Sequence, residues 1–380
     1  MKILFVAGHE FLHNPQNGGQ KCSLRNFTLL KNIVGKENIY LFLFSNYNDQ
    51  AENVYTFPTQ KNRVELLINT ISGRNVCNKK TEKKVIETAK TLKFDLVFAD
   101  SSTIGCLTDK ICQGKPIITF FHNIEKRYAW NKVKHDGILY LVAYFSYSKN
   151  EKKAVEISNK LIFLNERDSN LAQMLYGKQA DLYLPISFED TFDESQIFEK
   201  EYQGFTLLFV GSLFGPNIEG ITWFSKEVMS KLPTEIQLIV VGKGLETKKN
   251  QIERENVEVI GTVDDVGEYY YKADAVIIPI FYGDGMKVKT AEALMYGKEL
   301  FASNEALEGY SVERIPEVHR CNTADDFINA ICGVMEKKEK KKYYKSVRDI
   351  FLQNYETNRL KNSLEEFLSD MVDKGCQYAD

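Results

Sequence analysis

Between residues 283 and 292 the chain reads GDGMKVKTAE, which brings two glycines, an aspartate, two lysines and a glutamate into ten positions. Gly283 and Gly285 flank Asp284, and a pair of glycines lets the backbone turn sharply and lets a ligand approach without meeting a Cβ. From about Met286 the spacing becomes helical, with Val288, Ala291, Leu294 and Met295 on one face. A helix start carries unpaired N–H groups and partial positive charge, so it suits an anion, and Lys287 and Lys289 strengthen that field. Glu292 does not fit an anion site alone, because a carboxylate repels phosphate and accepts hydrogen bonds. A diphosphate at the helix tip and ribose hydroxyls on Glu292 satisfy both features, which describes a nucleoside diphosphate sugar. The plainer alternative is a strand, loop and helix of an α/β sheet with a solvated lysine face.

Three other places carry chemistry. His122 follows the apolar run PIITFF, at the carboxyl edge of an expected strand where ligands of open α/β sheets gather. Asn17, Gly18 and Gly19 end a long loop before a helix expected near Lys21, and Gly211 with Ser212 form a tight exit after FTLLFV. No GxGxxG follows the first strand, which disfavours a dinucleotide-binding oxidoreductase. His9, His13, His135 and His319 show no metal-ligand spacing with His122, and Asp190 and Asp193 fall in an acidic run that reads as a solvated connection, so no metal is expected.

The elements needed to hold these residues are legible as short apolar runs. Lys2 to Ala7, Ile39 to Phe44, Asp95 to Ala99, Pro116 to Phe121 and Lys160 to Asn165 read as strands of one parallel sheet, with helical patterns between them. Phe205 to Val210, Ile236 to Val241, Val257 to Ile260, Ala275 to Pro279 and Leu300 to Ser303 read as strands of a second. Thr323 to Glu336, Lys340 to Phe351 and Glu356 to Val372 read as amphipathic helices, with Lys337 to Lys342 a solvated bend. Ile138 to Tyr147 is apolar and aromatic with lysines on both sides. It reads either as an interfacial helix or, the preferred reading, as a helix buried on the sheet.

A chain of 380 residues is long enough for two domains at about 150 residues each. Its 43% hydrophobic and 27% charged content is that of a soluble globular protein. Seven scattered cysteines without a CxxC pair fit reduced thiols, not disulfides or zinc. MKILFVA is too short for a signal sequence, and no run reaches the ~18 apolar residues of a membrane span, so a cytoplasmic location is expected. Residues 1–187 hold 26 Lys and Arg against 17 Asp and Glu, whereas the rest hold 23 against 35. The basic half could meet an anionic acceptor or the inner face of the cell membrane as a peripheral contact. Nucleic acid is not expected, since the basic residues are dispersed and no motif accompanies them.

GDGMKVKTAEALMYGKE resembles the GSGxxxKxxEAxxxGKP loop of a subgroup of the retaining GT-B glycosyltransferases of family 4, the group 1 glycosyltransferases. VGSLFGPNIEGITWF and the HNIE that starts at His122 resemble other segments of the same subgroup. The resemblance implies an α/β GT-B fold, two Rossmann-like α/β/α domains with parallel sheets facing a central cleft. It divides the chain into an acceptor-side domain at 1–187, a linker at 188–203, a nucleotide-sugar-binding domain at 204–353 and a C-terminal helix at 354–380 that crosses back. It implies a metal-independent hexosyltransferase without a cofactor, with a UDP- or GDP-linked sugar as co-substrate and a glycan or lipid-linked acceptor. By the same resemblance it would serve bacterial surface polysaccharide or glycoconjugate synthesis. Glu292 would hold the donor ribose, Lys289 and the N–H groups near Gly285 and Met286 the diphosphate, and His122 the sugar. Gly18 and Gly19 would line the phosphates or the acceptor. Asp284 stands where the family commonly has glutamate, and the arginine and lysine usual after the strand at 205–210 are missing. Those departures keep two alternatives open: a non-catalytic accessory subunit and a sugar-nucleotide epimerase.

Overall fold

The structure, a computed structural model, describes all residues except 14, 16, 17, 48, 50, 60–62, 198–203, 284, 337–340 and 376–380, and leaves out the side chains of 63, 64, 135, 136 and 372–375. Asn17 and Asp284 therefore lie outside the described residues. The chain divides into two compact units, Met1–Pro185 with Lys361–Asp380, and Ile186–Leu360.

The first unit runs β1 (Ile3–Val6), α1 (Gly18–Val34), β2 (Ile39–Phe44), β3 (Val54–Phe57), α2 (Arg63–Ile71), α3 (Lys79–Thr91) and β4 (Leu96–Ala99). It continues through α4 (Gly105–Ile111), β5 (Ile117–Phe121), α5 (Glu125–Asp136), α6 (Leu141–Ile157), β6 (Lys160–Phe163), α7 (Glu166–Tyr176) and β7 (Leu182–Tyr183). Its seven strands are all parallel, in the order β3-β2-β1-β4-β5-β6-β7. Strands β1, β4 and β5 are buried along their whole length, because helices cover both faces and leave no solvent side to alternate toward. The strand order reverses between β1 and β4, which makes the ends of these strands the switch point where ligands of such sheets bind.

The second unit contains β8 (Phe205–Val210), α8 (Gly215–Glu227), β9 (Ile236–Val241), α9 (Lys249–Ile252), β10 (Val257–Gly261), α10 (Gly267–Lys272) and β11 (Ala275–Ile278). Then come α11 (Val288–Met295), β12 (Glu299–Ala302), β13 (Val318–Arg320), α12 (Ala324–Met335), α13 (Lys345–Asn354) and α14 (Thr357–Gly375), the last running from the second unit into residues grouped with the first. The sheet is parallel in the order β10-β9-β8-β11-β12-β13. The acidic segment before β8 is fastened to this unit. Arg348 Nη2 bonds Asp190 at 2.6 Å with its guanidinium 4.0 Å over the Phe192 ring, and the Asp193 N–H donates to Tyr271 Oη at 2.7 Å.

Several boundaries differ from the sequence reading, each for a physical reason. β3, β7 and β13 were not expected; they are short strands at or near the sheet edges, with too few residues to show a periodic pattern. Helix α1 starts at Gly18, three residues early, and α11 starts at Val288, two residues late, since Gly285 at φ 69° and extended Lys287 keep the loop going. The preferred reading of Ile138 to Tyr147 as a buried helix is corrected. Ile138 to Tyr140 are exposed, and none of Leu141 to Phe145 at the start of α6 is buried.

Gly220 lets α8 pack directly against the chain just after β11. A methyl there would lie 2.0 Å from the Pro279 carbonyl oxygen. Alanine normally favours a helix over glycine by about 1 kcal/mol, but forcing a group into a filled site costs about 1–3 kcal/mol. Gly220→Ala is expected to lower the melting temperature in calorimetry, and an unchanged or raised value would show that α8 can move off β11.

Candidate functional site

In the second unit three neighbouring strands leave the sheet on glycines. The Gly211 N–H donates to Val241 O at 2.9 Å and the Gly242 N–H to Gly261 O at 2.7 Å. Gly242 has φ 142°, and a Cβ on it would fall 1.6 Å from Gly211 O. No side chain fits there, so the exits of β8 and β9 form a bare backbone edge.

Lys289 reaches this edge from the first turn of α11. Its Nζ donates to Asn217 Oδ1 at 2.7 Å, lies 4.4 Å over the Phe209 ring and would be 3.1 Å from a Cβ on Gly211. Asn217 in turn donates to Ser212 O at 2.9 Å. The side chain as a whole is partly accessible, yet its ammonium is enclosed. Burial pulls its pKa down to about 7; Glu292 opposes the shift and Lys287 adds to it. The ammonium thus stands where the sequence lacks the usual basic residues after β8.

Glu292 lies one turn further along α11, three residues from Lys289. Its Oε2 accepts from Tyr270 Oη at 3.2 Å, and the Tyr270 ring is fully buried and stacked on Tyr296 at 4.6 Å. The carboxylate is held on a rigid support. Gly283 at φ 145° and Gly285 at φ 69° both adopt backbone that side chains disfavour, which accounts for the glycine pair. Lys287 braces this loop: its Nζ donates to Gly285 O and Glu305 Oε1, both at 2.7 Å, and its carbonyl accepts from Tyr310 Oη at 2.7 Å. Met286 is buried beside it. A field from Lys287 is largely neutralised by Glu305, leaving Lys289 as the stronger anchor for an anion.

In the first unit the carboxyl ends of β1, β4 and β5 converge on a buried polar cluster. His122 Nε2 lies 3.0 Å from Asp100 O, 3.3 Å from Asp100 Oδ2 and 3.4 Å from Ser23 Oγ. Ser23 Oγ also bonds His9 Nε2 at 3.1 Å, and Asn26 Nδ2 donates to Asp100 Oδ1 at 2.7 Å. Burial works against a charged His122, but the Asp100 carboxylate outweighs it, with help from Cys22, and the imidazole titrates well above its ordinary 6.5. Burial likewise opposes ionised Asp100, yet His122, Ser23 and Asn26 bring its pKa down. His9 goes the other way: burial first, then the charge on His122, pulls it to about 4. The cluster is an imidazolium–carboxylate pair with a neutral imidazole beside it. Gly18 and Gly19 form the first turn of α1, with the Gly19 backbone bonded to His9. Next to His9 is a cavity of about 350 Å³ whose lining includes Glu10, Ser45, Asn46 and Tyr47, a set that suits hydroxyl groups.

Sequence reasoning missed Asp100, His9, Ser23, Tyr270 and Asn217 as site residues. Asp100 carried a usable signal, a charged residue directly after a fully apolar strand. The tyrosine run at 269–271 was read as packing alone. Among the described residues no group of three or more His, Cys, Asp or Glu could hold a metal ion. Asp190, noted in the sequence, is engaged by Arg348.

Residues 204–337, within the second unit, match the family model described as Glycosyl transferases group 1. No curated protein matches the chain. Among solved structures, HepE of Anabaena in complex with UDP is 18% identical at a TM-score of 0.69, covering 97% of this chain and 100% of its own. Sucrose-phosphate synthase of Thermosynechococcus elongatus is 14% identical at a TM-score of 0.71, with 98% and 100% covered. The lipopolysaccharide outer core galactosyltransferase WaaB in its apo form is 15% identical at a TM-score of 0.67, with 97% and 100% covered. The chain has the GT-B fold of these proteins, two Rossmann-like α/β units, as the sequence resemblance implied.

The opposite shifts of the two histidines can be read directly. Imidazole NMR should find His122 protonated well above pH 6.5 and His9 neutral down to about pH 4. The His122 contribution to stability is complete below its unfolded value of about 6.5 and is lost as pH rises through the folded value. The His9 contribution is complete above about 6.5 and is lost as pH falls toward 4. Asp100→Asn removes the main raising partner and leaves burial opposed by Cys22, so the His122 pKa should fall; an unshifted resonance would remove Asp100 as the cause.

Proposed function

We propose that the chain is a glycosyltransferase that moves a hexose, with anomeric configuration retained, from a UDP- or GDP-linked sugar to a glycan or lipid-linked acceptor. The observation that carries this reading is the pairing of Lys289 and Glu292 on one turn of α11, with the lysine ammonium at the bare Gly211 edge. An enclosed cation beside glycine backbone suits a diphosphate, and a braced carboxylate one turn away suits ribose hydroxyls. The HepE complexes with UDP and UDP-glucose support a nucleotide sugar as donor.

Transfer by this route asks the protein for positioning and for stabilisation of leaving-group charge. As the sugar–oxygen bond breaks, negative charge grows on the departing diphosphate. Lys289 and the N–H groups near Gly285 and Met286 stabilise it, and no metal ion is required. The diphosphate oxygen takes the acceptor's proton on the same face of the sugar, which retains the anomeric configuration. His122, held charged by Asp100, serves the transferred sugar as a hydrogen-bond donor, and the cavity beside His9 receives acceptor hydroxyls. Surface polysaccharide or glycoconjugate synthesis is the proposed setting, in keeping with the WaaB likeness. No helix among the described residues is long and apolar enough to cross a membrane.

Incubation with a panel of nucleotide sugars, with and without glycan acceptors, tests the activity. Transfer or slow donor hydrolysis is expected, conversion of the donor alone would favour an epimerase, and failure to bind any of them would favour an accessory subunit. Glu292→Ala removes a charge-assisted hydrogen bond worth about 1.5–3 kcal/mol, so turnover should drop at least about tenfold. Wild-type turnover would remove Glu292 from the site.

Lys289 gives donor binding a pH dependence of known sign. With its pKa near 7, the lysine is charged below neutrality and takes up a proton on meeting an anion above it. UDP-glucose, whose phosphates do not titrate near neutrality, should bind progressively more weakly from pH 6.5 to 8.5 in calorimetry, with proton uptake above pH 7. Lys289→Met should bind weakly and without the pH slope. A flat wild-type profile would place the phosphate elsewhere.

A further inference from the structure

The apolar run from Ile138 to Phe145 is only partly covered, with Leu141 to Tyr144 half-buried. Ile138 is 73% exposed, Leu139 86% and Phe145 67%, although such side chains are normally buried. They are not isolated. Helix α6 packs against α5 and α2, the turn at 138–140 packs against α5, and Trp130 of α5 lies 5.4 Å from Tyr144. On α2, Leu67, Ile68 and Ile71 are exposed as well, and the segment after it is tied to α6 where Ser146 Oγ donates to Asn75 Oδ1 at 2.5 Å. One side of the first unit therefore shows aliphatic and aromatic groups from three neighbouring elements.

The charge around this face is predominantly positive, although Lys152 and Lys153 are paired with Glu156 and Asp109. Between residues 126 and 153 there are seven Lys and Arg against two Asp and Glu, and Glu151 is buried and bonded to Tyr176 at 2.6 Å. Lys126 and Lys134 lie 5.9 Å over the Tyr144 and Trp130 rings, so the cations border the aromatic groups themselves. Aliphatic side chains in the middle, Trp and Tyr beside them and lysines around them match the layering of a lipid interface: acyl chains, then carbonyl and glycerol groups, then anionic phosphates.

We propose that this face of the first unit, formed by α2, residues 138–145 and α5, docks on an anionic phospholipid surface. The charge favours that occupant over a second copy of the chain, because two such basic faces would repel one another. The surface stands apart from the transfer reading. If that reading holds, the bilayer lies beside the cavity near His9, since Leu66 of α2 lines that cavity.

The test is vesicle co-sedimentation of the full chain, without donor or acceptor. Binding is expected to vesicles of phosphatidylcholine mixed with phosphatidylglycerol, with little to phosphatidylcholine alone and a decline as salt rises. Ile138→Asp combined with Leu139→Asp and Phe145→Asp should weaken binding by at least about tenfold. Lys134→Glu with Lys152→Glu should weaken it selectively for the anionic vesicles. Melting temperature and UDP-glucose affinity should be unchanged in both variants, which separates loss of the surface from loss of the fold or of donor binding. Absence of vesicle binding at low salt, or equal binding by the aspartate variant, overturns the proposal. So does a wild-type dimer that the aspartate variant dissociates in sedimentation velocity, because the face would then belong to a second copy.

Discussion

The second unit depends on an ammonium held where it is poorly solvated. Lys289 leaves the first turn of α11, crosses the Phe209 ring and ends on Asn217, against the backbone of Gly211. An enclosed lysine loses much of its hydration, and its pKa falls to about 7 as the measure of that loss. An incoming anion would restore the charge balance, which is the basis for the diphosphate proposed at this place. The surrounding features follow from close packing of backbone around the ammonium. Gly211 and Gly242 have no side chains there, and none could be built on Gly242 without striking Gly211 O. Asn217 fixes both the lysine and the Ser212 carbonyl.

The same helix shows how one cation is left for the ligand while another is used up. Lys287 is bonded to Glu305 and to the Gly285 carbonyl, which secures the glycine loop. Glu292 is secured from the opposite side by Tyr270, whose ring is stacked in the core. Three charged side chains within six residues thus have three surroundings, and the surroundings separate their roles. The first unit places charge differently. Its carboxylate is fully enclosed and its imidazole nearly so, the two are bonded to each other, and Asn26 and Ser23 add hydrogen bonds to the pair. A charged His122 then keeps its neighbour His9 neutral.

Much of this was legible in the sequence. The strands at 39–44, 205–210 and 236–241 have the bounds their apolar runs indicated, because strands covered over most of both faces are apolar at most positions, Thr206 and the exposed Gln237 being the exceptions. The glycine pair at 283 and 285, the helix that follows and the choice of Lys289 and Glu292 also came from local pattern. His122 was marked by its place after a strand. The short edge strands and the helix starts were less legible, since a few residues or a single φ decide them.

What the sequence determined by itself is whatever repeats along the chain: apolar runs, helical spacing and glycines at sharp turns. What only the tertiary structure decided is which groups meet. Lys289 and Asn217 are 72 positions apart and Tyr270 and Glu292 are 22 apart, and no one-dimensional pattern pairs them. Asp100 and His122 come from separate strands that parallel pairing through β4 and β5 sets side by side. The exposure of residues 138–145 was likewise undecidable from composition, because an apolar helix reads the same whether a sheet covers it or nothing does. Burial is a property of the neighbours, and the neighbours are chosen by the fold.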